Sequence, residues 1–150
     1  MRNSYIVVIA ILLFATACKK TTSPFNFGTG MTATFNGSTN AYVTPSGLVN
    51  TTSNYTISGY ERATTSNNIV LTIDSAYSAT FPLAYNSGNS LQINNNGSIY
   101  STTNNRGSSA GSASVTISGK NVTGSFSGTL YTSGLTDSLI VTGGTISTTY

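Results

Sequence analysis

From Met31 onward, apolar and polar residues alternate with a period of two, the pattern of strands with one buried face, and no ten-residue stretch carries the i, i+3, i+4 spacing of a helix. Met31-Thr32-Ala33-Thr34-Phe35 alternates in this way and runs into Asn36-Gly37, a strong hairpin signal. Ala41-Tyr42-Val43-Thr44 reads as the return strand, stopped by Pro45. Tyr55, Ile57 and Gly59 share one face of the next segment, and Ile69, Leu71 and Ile73 give another a wholly aliphatic face. Ala79 to Leu83 is short; Pro82 has no amide hydrogen for a ladder, which places it at an edge or a bend. Leu91-Gln92-Ile93 and Ser98-Ile99-Tyr100-Ser101 flank Asn94-Asn95-Asn96-Gly97, a second hairpin.

The C-terminal part carries the clearest pattern. Ser114 to Ser118 reaches Gly119-Lys120, and a long strand then runs from Asn121 to Thr132. Val122, Gly124, Phe126, Gly128 and Leu130 share its inner face, where the two glycines predict a bulge, a sharp bend or close sheet packing. Ser138 to Thr142 then leads through Gly143-Gly144 to Thr145-Ile146-Ser147. Together these segments predict an all-β domain over residues 31–150, with about eight to ten short antiparallel strands closed as a sandwich or a flattened barrel.

Composition bears on whether such a domain folds. Ser, Thr, Asn and Gly make up roughly half the chain, and charged residues only 6%, where about 25% is ordinary. Disorder calls for high net charge with few aromatic or β-branched residues. Here Arg62, Arg106 and Lys120 balance Glu61, Asp74 and Asp137 from Gly30 onward, Tyr is abundant, and Thr fills the polar faces. A folded domain with a thin core follows. Scarce charge also leaves sheet edges without their usual Lys guards, so edges are expected to be covered by loops, by closure or by a partner strand.

The N-terminus has a different character. After Arg2, Tyr5 to Ala15 form an apolar run that ends at Lys19-Lys20, too short for the roughly 20 apolar residues of a membrane-spanning helix. It reads as a signal peptide. Ala15-Thr16-Ala17-Cys18 resembles a bacterial lipobox, which implies cleavage after Ala17 and acylation of Cys18; the plain alternative is an ordinary A-x-A cleavage site that would leave a free thiol. The expected organisation is therefore a signal peptide over 1–17, a lipid-bearing Cys18 with a flexible tether over 18–30, and the β domain. Two or more acyl chains anchor a protein stably, so membrane attachment needs nothing beyond Cys18. Lys19 and Lys20 would lie against anionic headgroups.

Several chemistries are excluded by residue type. Without His there is no Ser-His-Asp triad, no imidazole base and no His-liganded metal. One Cys gives no internal disulfide and no thiolate cluster. The pI near 9.1 belongs to the N-terminus, so there is no basic patch for nucleic acid, and no phosphate-binding Gly loop is present. No metal, cofactor or nucleic acid is expected.

Four stretches together look like a family of small Bacteroidota lipoproteins that carry a domain of unknown function: Met31 to Gly37, Val115-Thr116-Ile117, the Val122-Thr123-Gly124-Ser125-Phe126-Ser127-Gly128-Thr129-Leu130 strand, and the closing Val141 to Ile146 strand. Ser38-Thr39 stands where that family often has an aromatic residue, and Ile146 replaces a final Phe. The resemblance implies fold and location but no activity. Lys19-Lys20 also stands where surface-exported lipoproteins of that phylum often carry acidic residues, which leaves the periplasmic face of the outer membrane and the cell surface both open.

Candidate sites are few. Glu61, Asp74 and Asp137 are the domain's only carboxylates, and they read as a solvated pair with Arg62 and as two turn residues rather than a catalytic set. Asp74-Ser75-Ala76 and Asp137-Ser138-Leu139 resemble the acceptor pattern of Bacteroidota O-glycosylation, which makes Ser75 and Ser138 candidate acceptors. Tyr42, Tyr55, Tyr60, Tyr77, Tyr85, Tyr100 and Tyr131 offer stacking faces for a ligand but read mainly as core or sheet-face residues. The expected role is a lipid-anchored, non-enzymatic binding or structural module of the cell envelope. The alternatives are a barrel that binds a glycan or small ligand inside a Tyr-lined cavity, an envelope enzyme with clustered carboxylates, and a surface adhesin or fimbrial component.

Overall fold

The computed structural model describes residues 30–43, 49–51, 54–61, 64–75, 77–107 and 110–149. The expected signal peptide, Cys18 and the expected tether lie outside these residues, except for Gly30, which already belongs to the first strand. The described residues form eleven strands and no helix, one more strand than the upper expectation. β1 (Gly30–Phe35) and β2 (Ser38–Val43) make the first hairpin, followed by β3 (Val49–Thr51), β4 (Asn54–Glu61) and β5 (Thr64–Ile73). Next come the short β6 (Ala79–Leu83) and the hairpin of β7 (Ser90–Asn95) and β8 (Ser98–Ser101). β9 (Gly111–Ser118), β10 (Asn121–Tyr131) and β11 (Ser138–Thr149) complete the chain. β3 is the strand without a sequence signal: Val49-Asn50-Thr51 is too short to show a period.

Local chemistry explains the hairpins. At Asn36-Gly37 and Asn96-Gly97 both central residues have positive φ (52° and 73°, 51° and 86°), the turn geometry whose twist matches two antiparallel strands. Asn and Gly adopt it with least steric cost.

Following hydrogen-bonded neighbours, β1-β2-β4-β5-β7-β8-β10-β11 returns to β1, so eight antiparallel strands close a barrel. β9 pairs with β10 and β6 with β9 outside this ring, and β3 pairs with β4. Two joints of the ring are short. β2 meets β4 only at Tyr42–Glu61 and Val43–Tyr60, and β8 meets β10 only at Ser101–Tyr131. In each case one strand serves two neighbours along a single edge: β4 holds β2 and then β3, and β10 holds β9 over Asn121–Gly128 and then β8. The first joint is level with Gly30, where β1 begins; the second lies beyond Phe35, where β1 ends.

The interior is filled by side chains, as an eight-strand barrel permits. Met31, Ala33 and Phe35 of β1, Ile57 of β4, the Ile69-Leu71-Ile73 face of β5, and Leu91 and Ile93 of β7 are all buried. Tyr42, Tyr55 and Tyr100 join this core rather than lining a cavity. Phe81 and Leu83 of β6 and Ala113 and Val115 of β9 extend it under the branch beside β10.

The C-terminal glycines behave differently from one another. β11 runs unbroken through Gly143-Gly144 as one twelve-residue strand. Its register against both β1 and β10 slips at Thr142–Gly143, a bulge that leaves Val141 and Gly144 both facing inward. Gly144 has no side chain because the Phe126 ring from β10 occupies the place a Cβ would take. On β10, Cβ atoms at Gly124 and Gly128 would strike the Ser114 and Ala110 carbonyls, so the chain of β9 and the residue before it approaches closely here, and the bulge against β11 falls between Phe126 and Gly128.

Closure removes most sheet edges. β6 remains at the margin, as Pro82 predicts. The Leu83 carbonyl accepts from the Ala110 amide beside β9, so by alternation the backbone of Pro82 turns outward. There Pro82 offers no donor, and its carbonyl accepts a 3.2 Å hydrogen bond from Asn89 Nδ2. Asn89 is buried, and its Oδ1 also accepts the Asp74 amide at 2.8 Å. One side chain thus covers the open edge and ties it to the end of β5.

Candidate functional site

The three carboxylates are not gathered at one place. Glu61 pairs with Thr64 at the start of β5 while Asp74 follows its end, which puts about 30 Å of strand between them at ~3.3 Å per residue. Glu61 Oε2 accepts from Asn67 Nδ2 at 2.7 Å, and Asn67 Oδ1 accepts the Asn96 amide at 2.8 Å, so this buried Asn joins the β4–β5 turn to the β7–β8 turn. Asp74 packs against Gly88. Asp137 accepts the Tyr100 hydroxyl on Oδ2 at 2.7 Å and the Ser138 amide on Oδ1 at 2.8 Å. The hydrogen bond to Asp137, with a smaller contribution from burial, raises the Tyr100 pKa. Tyr42 is pushed up to about 12, chiefly by burial and secondly by the nearby charge of Glu61. No group of three or more potential metal ligands occurs among the described residues.

The two candidate acceptor serines differ. Ser138 opens β11 and is exposed, whereas Ser75 is half-buried and donates its hydroxyl to the Asp74 carbonyl. Cys18 lies outside the described residues, and no described helix is long and apolar enough to cross a membrane. Of the tyrosines, Tyr60, Tyr77 and Tyr85 are exposed: Tyr77 tilts against Phe81 with centroids 5.6 Å apart, and the Arg106 guanidinium sits 5.2 Å over the Tyr85 ring.

Among the described residues, two clefts stand out on the outer face, and no tyrosine lines either. The smaller, about 220 Å³, sits where the β11 bulge separates it from β10 and is rimmed by hydroxyls such as Ser112, Ser125 and Ser127. The larger, about 470 Å³, runs along the short β8–β10 joint. Its walls are Gln92 of β7, Gly97 with Ser98, Ile99 and Ser101 of β8, the turn carrying Thr103 and Asn104, and Thr132-Ser133 after β10. No ionisable side chain lines it, and Ile99 stands 52% exposed on its floor. Sequence reading missed these residues because they come from three separated segments and share only a loop-like polarity; the Ser101-Thr102-Thr103-Asn104-Asn105 run was the one visible trace.

The turn at this cleft is held by its own hydrogen bonds. Ser101, almost fully buried, places its hydroxyl 2.8 Å from Thr103 Oγ1 and accepts the Thr103 amide at 3.2 Å. Thr102, completely buried, accepts the Leu91 amide on its hydroxyl at 3.0 Å, and its own amide donates to the Leu91 carbonyl. Asn104 Nδ2 donates to the Tyr131 carbonyl at 2.6 Å. The cleft is therefore rigid on one side and neutral throughout. No protein-family model, curated protein or solved structure matches this chain.

Proposed function

We propose that this protein is a lipid-anchored module of a bacterial cell envelope, held at the outer membrane through Cys18, whose barrel binds or supports rather than catalyses. The observation that carries the reading is the single cysteine of the chain, placed directly after an apolar run and the small residues Ala15-Thr16-Ala17. The barrel is consistent with it: a packed interior leaves work to the outer face, and Glu61 and Asp74 stand at opposite ends of β5, too far apart to act as an acid–base pair. The resemblance to small Bacteroidota lipoproteins points the same way.

Metabolic labelling with a palmitate analogue tests this directly. Wild-type protein incorporates label, its mass corresponds to a chain beginning at Cys18, and it partitions with membranes; Cys18→Ser abolishes all three. Unlabelled mature protein with a free thiol would refute the anchor. A second reading, recognition of a ligand on the outer surface, is favoured by the neutral cleft at the β8–β10 joint.

A further inference from the structure

We infer that the cleft at the β8–β10 joint is a binding site for a neutral, hydroxyl-rich ligand of the oligosaccharide class. The inference rests on the proposal that the barrel is a binding module, and goes beyond it by naming the site and the chemistry. The cleft's volume of about 470 Å³ lies within the usual range of about 300–1,000 Å³ for ligand sites. Its walls present amides and hydroxyls, which both donate and accept, and a sugar hydroxyl requires both. The Gln92 side-chain amide makes no hydrogen bond to any described residue, and Asn104 commits its Nδ2 to Tyr131 while its Oδ1 stays uncommitted. Between them the exposed Ile99 offers an apolar patch for the C–H face of a sugar ring.

What is missing from the walls sets the ligand class. A phosphorylated or carboxylated ligand would bring charge into a cleft with no cation to meet it, and a cationic ligand would find no carboxylate. The buried Ser101 and Thr102 fix the turn that carries Thr103 and Asn104, so these polar groups are ordered before a ligand arrives, which lowers the entropic cost of binding. An extended peptide is the competing occupant, since β8 has a partner strand beyond it only at Ser101. The free length, Ser98 to Tyr100, is shorter than an ordinary strand of about five to six residues, and the sugar reading is favoured.

The test uses the ¹⁵N-labelled full chain in a sugar-free detergent. It is titrated with cellohexaose, maltohexaose, laminarihexaose and mannohexaose, with hexagalacturonate as a charged control and a Thr/Val octapeptide as the strand-adding competitor. The expected result is saturable shifting of amides in 92, 97–104 and 132–133 by at least one neutral hexasaccharide and not by hexagalacturonate. Gln92→Ala and Asn104→Leu each weaken that binding about 3- to 10-fold, the loss of one neutral hydrogen bond, while amide dispersion shows the fold intact. Failure of all four sugars, or response to the octapeptide alone, overturns the inference. Sugar binding that is unchanged in the Gln92→Ala/Asn104→Leu double variant, or that maps to the Ser125–Thr142 cleft, overturns the site but leaves the binding module standing.

Discussion

Replacing Gly144 by Ala tests the packing of the barrel interior at one atom. A methyl at this position would fall within the Phe126 ring, which is 3% exposed and part of the core. To make room, either the ring leaves its rotamer or β10 and β11 separate; overpacking of this kind costs about 1–3 kcal/mol. With a urea slope of about 1–3 kcal/mol per molar, the unfolding midpoint should fall by roughly 0.3–3 M. The chain has no Trp, so far-UV circular dichroism and Tyr emission report the transition. Two controls isolate the cause. Gly143→Ala, next along the strand, adds a methyl with nothing within 4 Å and should change stability by less than about 0.5 kcal/mol. In a Phe126→Ala background, itself about 3–5 kcal/mol less stable, Gly144→Ala should cost almost nothing, a coupling of about 1–3 kcal/mol. Equal penalties in both backgrounds would refute the claim that the ring occupies the glycine's place.

Other perturbations address the polar ties. Tyr42 ionises near 12 against an ordinary 10.0; the folded state therefore holds this proton more tightly, and the resulting stability is complete below pH 10 and lost as pH rises toward 12. In tyrosinate absorbance titrations, Tyr42→Phe should remove a component centred near 12 and nothing else. Asp137→Asn weakens a charge-assisted, part-buried bond between buried Tyr100 and an exposed carboxylate and should cost about 1 kcal/mol, less than the 1.5–3 of a fully buried charged bond, read by the same urea transition. Asn67→Ala removes the bridge between two hairpin turns and should cost about 1–3 kcal/mol, with hydrogen exchange rising first at the Asn96 amide, which loses its acceptor. Asn89→Ala combined with Pro82→Val restores a bare edge on β6; sedimentation velocity should then show concentration-dependent self-association that the wild type lacks.

The architecture was legible where side chains alternate strictly. The aliphatic face of Ile69, Leu71 and Ile73, the Asn-Gly turns and the edge position of Pro82 follow from local physics that tertiary context did not override. β11 was not legible as one strand, because Gly143-Gly144 has the composition of a turn and only its neighbours β1 and β10 turn it into a bulge. Barrel closure was open for a related reason: it depends on Ser101 meeting Tyr131, a pairing between residues 30 apart that no periodicity records. The same holds for the candidate site. Glu61, Asp74 and Asp137 could be named from composition, but their dispersal could not. Gln92, Ile99 and Asn104 became a site only when the chain brought three polar segments together.

The position of β1 between β2 and β11 bears on how the molecule comes into being. Gly30 lies beside Ser147 and Phe35 beside Val141, so the first strand of the domain is completed by the last. A nascent chain shorter than about Ser138 has no means of shutting the ring, and its inward residues Met31, Ala33 and Phe35 stay uncovered on one side. Such long-range pairing places folding in the slow class of all-β topologies, on the order of milliseconds to seconds. Ring closure therefore waits for Ser138–Thr149, whatever hairpins have formed before it.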